Sequence, residues 1–169
     1  RVNVFQDLTV FENIQAALLA HHSRAYDLFT PGARLYRAEA EAILEQVGLQ
    51  DEANRVAATL AYGKQKQLEF ALSLASEPKI LLLDEPTAGM SPRETSEILN
   101  LIVRIQEAQG FTLLFTEHDM EFVFAIAEKL TVLVQGHPLA TGAPAEVRDD
   151  PEVQRVYLGG HASGGQDAA

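Results

Sequence analysis

Ile80-Leu81-Leu82-Leu83-Asp84-Glu85-Pro86 is the stretch from which the fold is read. Four consecutive apolar residues closed by two acids and a proline read as a strand buried on both faces, as in a parallel sheet. Upstream, Gly63 opens a helical pattern through Leu68, Ala71, Leu72 and Ala75 that Pro78 closes. Downstream, Ser91, Pro92 and Glu94 supply an N-cap, a proline at the first helical position and a capping-box partner, so a long helix is expected to end near Gly110. Thr112 to Thr116 reads as the next strand and Met120 to Glu128 as a short apolar helix. Leu130 to Val134 reads as a third strand, followed by a turn at Gly136-His137-Pro138 into a short strand ending at Gly142. Strand, helix, strand, helix, strand implies an α/β fold with a parallel layer.

On the amino-terminal side, Thr9 and Glu12 form a capping-box pair, and Val10, Ile14, Ala17 and Leu18 recur at helical spacing, which predicts a helix from Val10 to His22. Ser23 to Arg34 reads as a loop around Pro31-Gly32, and Arg34 to Val47 as a second amphipathic helix stopped by Gly48. On the carboxyl side, Pro144 to Asp149 and Glu152 to Leu158 read as two small helices. The Gly-, Ser- and Ala-rich residues beyond Gly159 are expected to be disordered.

With 47% apolar and 22% charged residues in 169, the chain has the composition of one globular domain. A formal charge of −11 without a basic cluster argues against nucleic acid as a partner. The absence of cysteine rules out disulfides and thiolate metal sites. No apolar run reaches the ~20 residues of a membrane-spanning helix.

The acidic pair Asp84-Glu85 sits where open α/β sheets place ligands, at the carboxyl end of a strand. Asp84 can hold a magnesium ion, a hard cation that takes oxygen ligands. Glu85 can orient and polarise a water. Taken alone, such a pair is more often an ordinary strand end followed by a solvated turn. A second strand ends at Thr116-Glu117-His118-Asp119, and if the two strands are neighbours His118 can contact a terminal phosphate. Gly63, in Leu60-Ala61-Tyr62-Gly63-Lys64-Gln65, starts a helix whose amides and dipole can meet an anion, though this also reads as a plain helix cap. His21-His22 reads as a surface pair, since adjacent helical side chains diverge. Phe122, Val123, Phe124 and Ile126 read as core, and the acidic run Glu146 to Glu152 as a solvated face.

In this order, the segments resemble the nucleotide-binding domain of ABC transporters: LAYGKQKQLE is similar to the signature loop, ILLLDEP to the Walker B strand and TEHD to the switch-histidine loop. VFQDLTVFENI, DEPTAGMSPRET and GAPAEVRDDPEVQRVYLG narrow the likeness to ATPase subunits of branched-chain amino acid importers and their urea and amide relatives. The resemblance implies a partial parallel-sheet ATPase core with an inserted helical subdomain. Residues 9–78 would form the helical and signature part, 79–142 the Walker B and switch-histidine core, and 143–160 an importer-type extension, with a disordered tail at 161–169. It implies ATP with magnesium, Glu85 and His118 as catalytic groups, Asp84 as the metal carboxylate, and Ala61, Tyr62, Gly63, Lys64 and Ser91 as contacts to nucleotide on a second ATPase subunit. It also implies membrane permease partners and a peripheral place on the inner face of the plasma membrane.

Three departures from the family pattern qualify this. Ala61 stands where most signature loops carry a serine, and Ser91 where many relatives carry an aspartate. No GxxxxGK[ST] phosphate loop occurs. Gln6 is similar to the Q-loop glutamine, but aligning LTVFENI places that glutamine just before Arg1. The chain thus reads as the carboxyl-terminal portion of a longer ATPase, inactive alone, with an apolar face or sheet edge left open. The competing expectations are a soluble ABC-type ATPase outside transport and a non-catalytic, partner-binding fragment.

Overall fold

Thr9 fixes where the first helix starts: its hydroxyl accepts the Glu12 amide while the Glu12 carboxylate accepts the Thr9 amide at 2.8 Å, closing the expected box. The computed structural model describes residues 3–22 and 36–158, without the side chains of residues 121, 157 and 158. The 23–34 loop, the start of the second helix at Arg34 and the tail beyond Gly159 fall outside these. The chain divides into two units, meeting between Thr116 and Glu117.

The first unit contains α1 (Val10–His21), α2 (Arg37–Val47), two short turns of tight helix (Gln50–Glu52 and Ala57–Thr59), α3 (Tyr62–Leu74), β1 (Ile80–Asp84), α4 (Pro92–Gln109) and β2 (Thr112–Thr116). The exposed first-turn amides of α1 are satisfied from outside the helix: Val10 N–H donates to the Arg55 carbonyl and Phe11 N–H to that of Ala53, both at 2.9 Å. Asn13, fully buried, accepts the Phe5 amide at 2.8 Å and returns its own amide to the Phe5 carbonyl at 3.0 Å, which ties the entry segment to the helix. Val10, Ile14 and Leu18 of α1, Leu44 and Val47 of α2, and Leu68 and Ala71 of α3 join Ile98, Ile102 and Ile105 of α4 in one apolar core.

β1 and β2 pair in parallel with Ile80 opposite Thr112 and Asp84 opposite Thr116, and α4 is the crossover between them. The strand is not buried on both faces as its composition predicts. Leu81 is buried and Leu83 half-buried against the core, whereas Ile80 and Leu82 are 59% and 70% exposed, as is Leu114 of β2 at 58%. The core built by the helices covers one face of the pair, so alternate residues decide burial. An open apolar face was expected, and this is one.

The second unit contains α5 (Met120–Ile126), β3 (Leu130–Val134), β4 (His137–Gly142), α6 (Pro144–Asp149) and α7 (Pro151–Val153), which continues as a wider π turn over Gln154–Leu158. Here the expected parallel layer does not extend to β3, which pairs antiparallel with β4. Gln135 and Gly136 both have positive φ, 49° and 80°, the backbone of a two-residue hairpin turn whose twist suits antiparallel strands. Val132, Val147 and Val153 form the small core under this hairpin. Of the four residues expected as core, Phe122 and Val123 are buried, whereas Phe124 and Ile126 are only half-buried.

Both capping carboxylates, Glu12 on the Thr9 amide and hydroxyl and Glu94 on the Ser91 hydroxyl and amide, are held below the ordinary glutamate value of 4.5. They bind protons less readily folded than unfolded, so their stabilisation is complete above about pH 4.5 and is lost as pH falls through the lowered folded values. Urea midpoints measured across this range should therefore fall on acidification. The slope should shrink in the Glu12→Gln, Glu94→Gln double variant, and an unchanged slope would refute the assignment.

Candidate functional site

β1 delivers Asp84 and Glu85 to its carboxyl end, and the parallel register brings Thr116 of β2 alongside. The Thr116 hydroxyl donates a hydrogen bond to Asp84 Oδ1. The Glu85 amide donates to the Thr116 carbonyl at 3.0 Å and reaches its hydroxyl oxygen at 3.3 Å. Glu85 itself lies at φ 44°, a left-handed backbone that costs a residue with a Cβ roughly 1–2 kcal/mol. The Thr116 bonds hold it there, together with the turn bond from the Ala88 amide to the Glu85 carbonyl at 3.1 Å. The pair is thereby turned out of the strand direction, and both side chains are exposed.

An open cleft of about 530 Å³ runs past this strand end, lined by Asp84, Glu85, Tyr62, Lys66, Glu69 and Leu82 among others. Of the expected signature residues, Tyr62 lines it. Tyr62, the first residue of α3, donates its hydroxyl to the Ala88 carbonyl at 3.2 Å, and its ring lies beside Gly89, where the φ of 78° favours glycine. Ala61 is the N-cap of α3 and provides no side-chain hydrogen bond. Gly63 packs so closely on Glu94 that a Cβ there would fall 2.8 Å from Glu94 Oε1. Lys64 turns towards Glu52 at 3.8 Å. Ser91 N-caps α4, donating its amide and hydroxyl to the Glu94 carboxylate at 2.9 and 2.7 Å.

Asp84, Glu85, Tyr62, Gly63 and Ser91 thus all belong to the first unit. His118 belongs to the second: its ring is 74% exposed, with Nδ1 3.8 Å from Glu117, and Asp119 beside it caps α5 by accepting the Phe122 amide at 3.2 Å. Among the described residues, no group of three or more acidic or histidine side chains is gathered for a metal. The exposed Asp84 carboxylate offers the oxygen donors that a hard cation such as magnesium takes. His21 and His22 form no such group: His22 stacks on Tyr36 and meets Glu39 at 3.1 Å.

Two residues escaped the sequence reading. In the sequence Thr116 is only a strand end, and the parallel register makes it the partner of Asp84. Glu94 was read only as a capping-box partner, and its approach to Gly63 spans too much sequence to be visible there.

Residues 1–88, more than half of the 169, match the family model of the ABC transporter, and residues 137–163 match that of the branched-chain amino acid ATP-binding cassette transporter. The chain belongs to the ABC transporter family. It is 43% identical over 169 residues to the high-affinity branched-chain amino acid transport ATP-binding protein LivG of Salmonella typhimurium, and 42% identical over 167 residues to BraF of Pseudomonas aeruginosa. Each alignment covers 94% of this chain and 65% of the relative, so the chain spans just under two thirds of their length. Among solved structures, it is similar to an ABC-transporter ATP-binding cassette in its ADP conformation, with a TM-score of 0.76 and 29% identity over 91% of this chain and 64% of that one.

Thr116→Val keeps the shape of β2 but removes the hydroxyl from Asp84. It should cost about 1 kcal/mol in urea unfolding, and Thr116→Ser should cost less. Equal losses in the two variants would show that the hydroxyl contributes nothing.

Proposed function

We propose that this chain is the carboxyl-terminal portion of an ATP-hydrolysing subunit that powers import of branched-chain amino acids or related small polar solutes. The observation that carries the reading is the Asp84-Glu85 pair at the carboxyl end of a parallel strand, bonded to Thr116 and facing an open cleft. Asp84 would hold magnesium, which supplies charge neutralisation at the phosphates, while Glu85 would orient and polarise the attacking water. His118, two residues past Thr116 in the chain, would contact the terminal phosphate.

Ala61 to Lys64 and Ser91 would face nucleotide held by a second ATPase subunit. Residues 9–78, 79–142 and 143–160 would be the helical and signature part, the core and the importer extension. Membrane permease subunits would be the remaining partners, placing the assembly at the inner face of the plasma membrane. Among the described residues, no helix is long and apolar enough to cross a membrane, which accords with the transmembrane path lying in other subunits. The solute class rests on the 137–163 match, which lies outside every residue given a chemical role.

Nothing in the sequence of 169 residues forms a phosphate loop, so the chain alone should turn over ATP at the background rate. The direct test is a chimera in which Salmonella LivG keeps its own unmatched part and takes this chain for the rest. It should restore leucine uptake to a LivG-deficient strain, and Glu85→Gln should abolish that uptake. Full uptake with Glu85→Gln would overturn the catalytic assignment, and robust turnover by the chain alone would overturn the division of the site.

A further inference from the structure

α3 begins without a cap of its own. Its N-cap, Ala61, has no oxygen to offer, and no side-chain bond closes its first turn locally. A carboxylate from elsewhere stands there. Glu94 lies in the first turn of α4, with Oε2 taken by the Ser91 amide at 2.9 Å and by the Ser91 hydroxyl at 2.7 Å. Its other oxygen, Oε1, lies so near Gly63 that a methyl at that position would be 2.8 Å away. The Gly63 amide, after the two Ser91 donors, helps hold this carboxylate below its usual range. Gly63 is the second residue of α3, and that amide is one of those an N-cap hydroxyl would take.

We propose that Glu94 is a positioning residue that caps the N-terminus of α3 from α4, in place of the hydroxyl Ala61 lacks, and so ties residues 61–64 to the Ser91 loop. One carboxylate serves two helix starts. The absence of a side chain at Gly63 is what allows the approach, and a favourable charge at the positive end of α3 supports it. The functional consequence rests on the reading of both segments as contacts to a second subunit's nucleotide: under it, the two contacts move as one body. The contact itself is independent of that reading.

The test uses the 169-residue chain without nucleotide and follows amide hydrogen exchange by NMR. Glu94→Ala should speed exchange at Gly63 and Lys64 roughly fivefold, together with the first turn of α4. Adding Ala61→Ser should restore protection at residues 63 and 64 and leave the α4 start unprotected, whereas Ala61→Ser alone should change little. If Glu94 served α4 only, Glu94→Ala would spare Gly63 and Ala61→Ser would act equally in both backgrounds; either result overturns the proposal. A variant-free check is the Gly63 amide resonance of the unaltered chain, which should titrate with a carboxyl whose midpoint lies below the usual 4.5. A resonance that ignores this titration also overturns it. Failure here leaves the ATPase reading standing, while failure of the LivG chimera leaves the Glu94 contact standing.

Discussion

The parallel register of β1 on β2 is the constraint from which the first unit's chemistry follows. With Asp84 opposite Thr116, the last strand carbonyl and hydroxyl of β2 become available to the two acids that end β1. A slip of one residue would turn Leu81 and Leu83 out of the core and carry Asp84 past its partner. The apolar side chains of the strand therefore enforce the placement of its polar end. Burial of Leu81 in the same core as Ile98 and Ile102 is the energetic reason that a carboxylate and a threonine hydroxyl meet at all.

From the same point follows the bend at Glu85. A left-handed residue with a full side chain is disfavoured, yet here its amide has two acceptor atoms on Thr116 and its carbonyl closes a turn with Ala88. Strain of roughly 1–2 kcal/mol is offset by bonds that exist only with the backbone turned this way. The turn then continues through Gly89, under the ring of Tyr62, into the Ser91 cap of α4. Strand end, tyrosine and helix cap are thus consecutive solutions to one problem, that of leaving a parallel strand sharply while satisfying each backbone group.

Much of this was legible from the sequence because its signals are local. Thr9-x-x-Glu12 and Ser91-Pro92-x-Glu94 name two helix starts through bonds three residues long, and both close as read. Gly110 ends α4 in the left-handed conformation that its position implied. What failed were inferences about which neighbours cover an element. Ile80 to Leu83 is apolar throughout, yet a run of four cannot say whether one face or two will be packed, and Ile80 and Leu82 lie open. β3 was assigned to the parallel layer from the order of elements, although Gln135-Gly136 already carried the hairpin turn that pairs it with β4. Of the candidate site, the acids and the glycine were visible, while Thr116 and the second role of Glu94 depended on register and helix packing.

The open apolar face and the polar strand end belong to the same physical arrangement. Leu82 and Leu114 are paired, exposed positions of the β1–β2 pair, and Leu82 also lines the cleft that Asp84 and Glu85 border. An apolar wall beside two carboxylates lowers the local dielectric once something covers it, and charge interactions there become stronger than in open water. Uncovered, the acids are solvated and the wall is a liability of the kind that soluble proteins keep small. The side chains that would do chemistry and the surface that would enclose that chemistry are therefore set by one alternation along one strand.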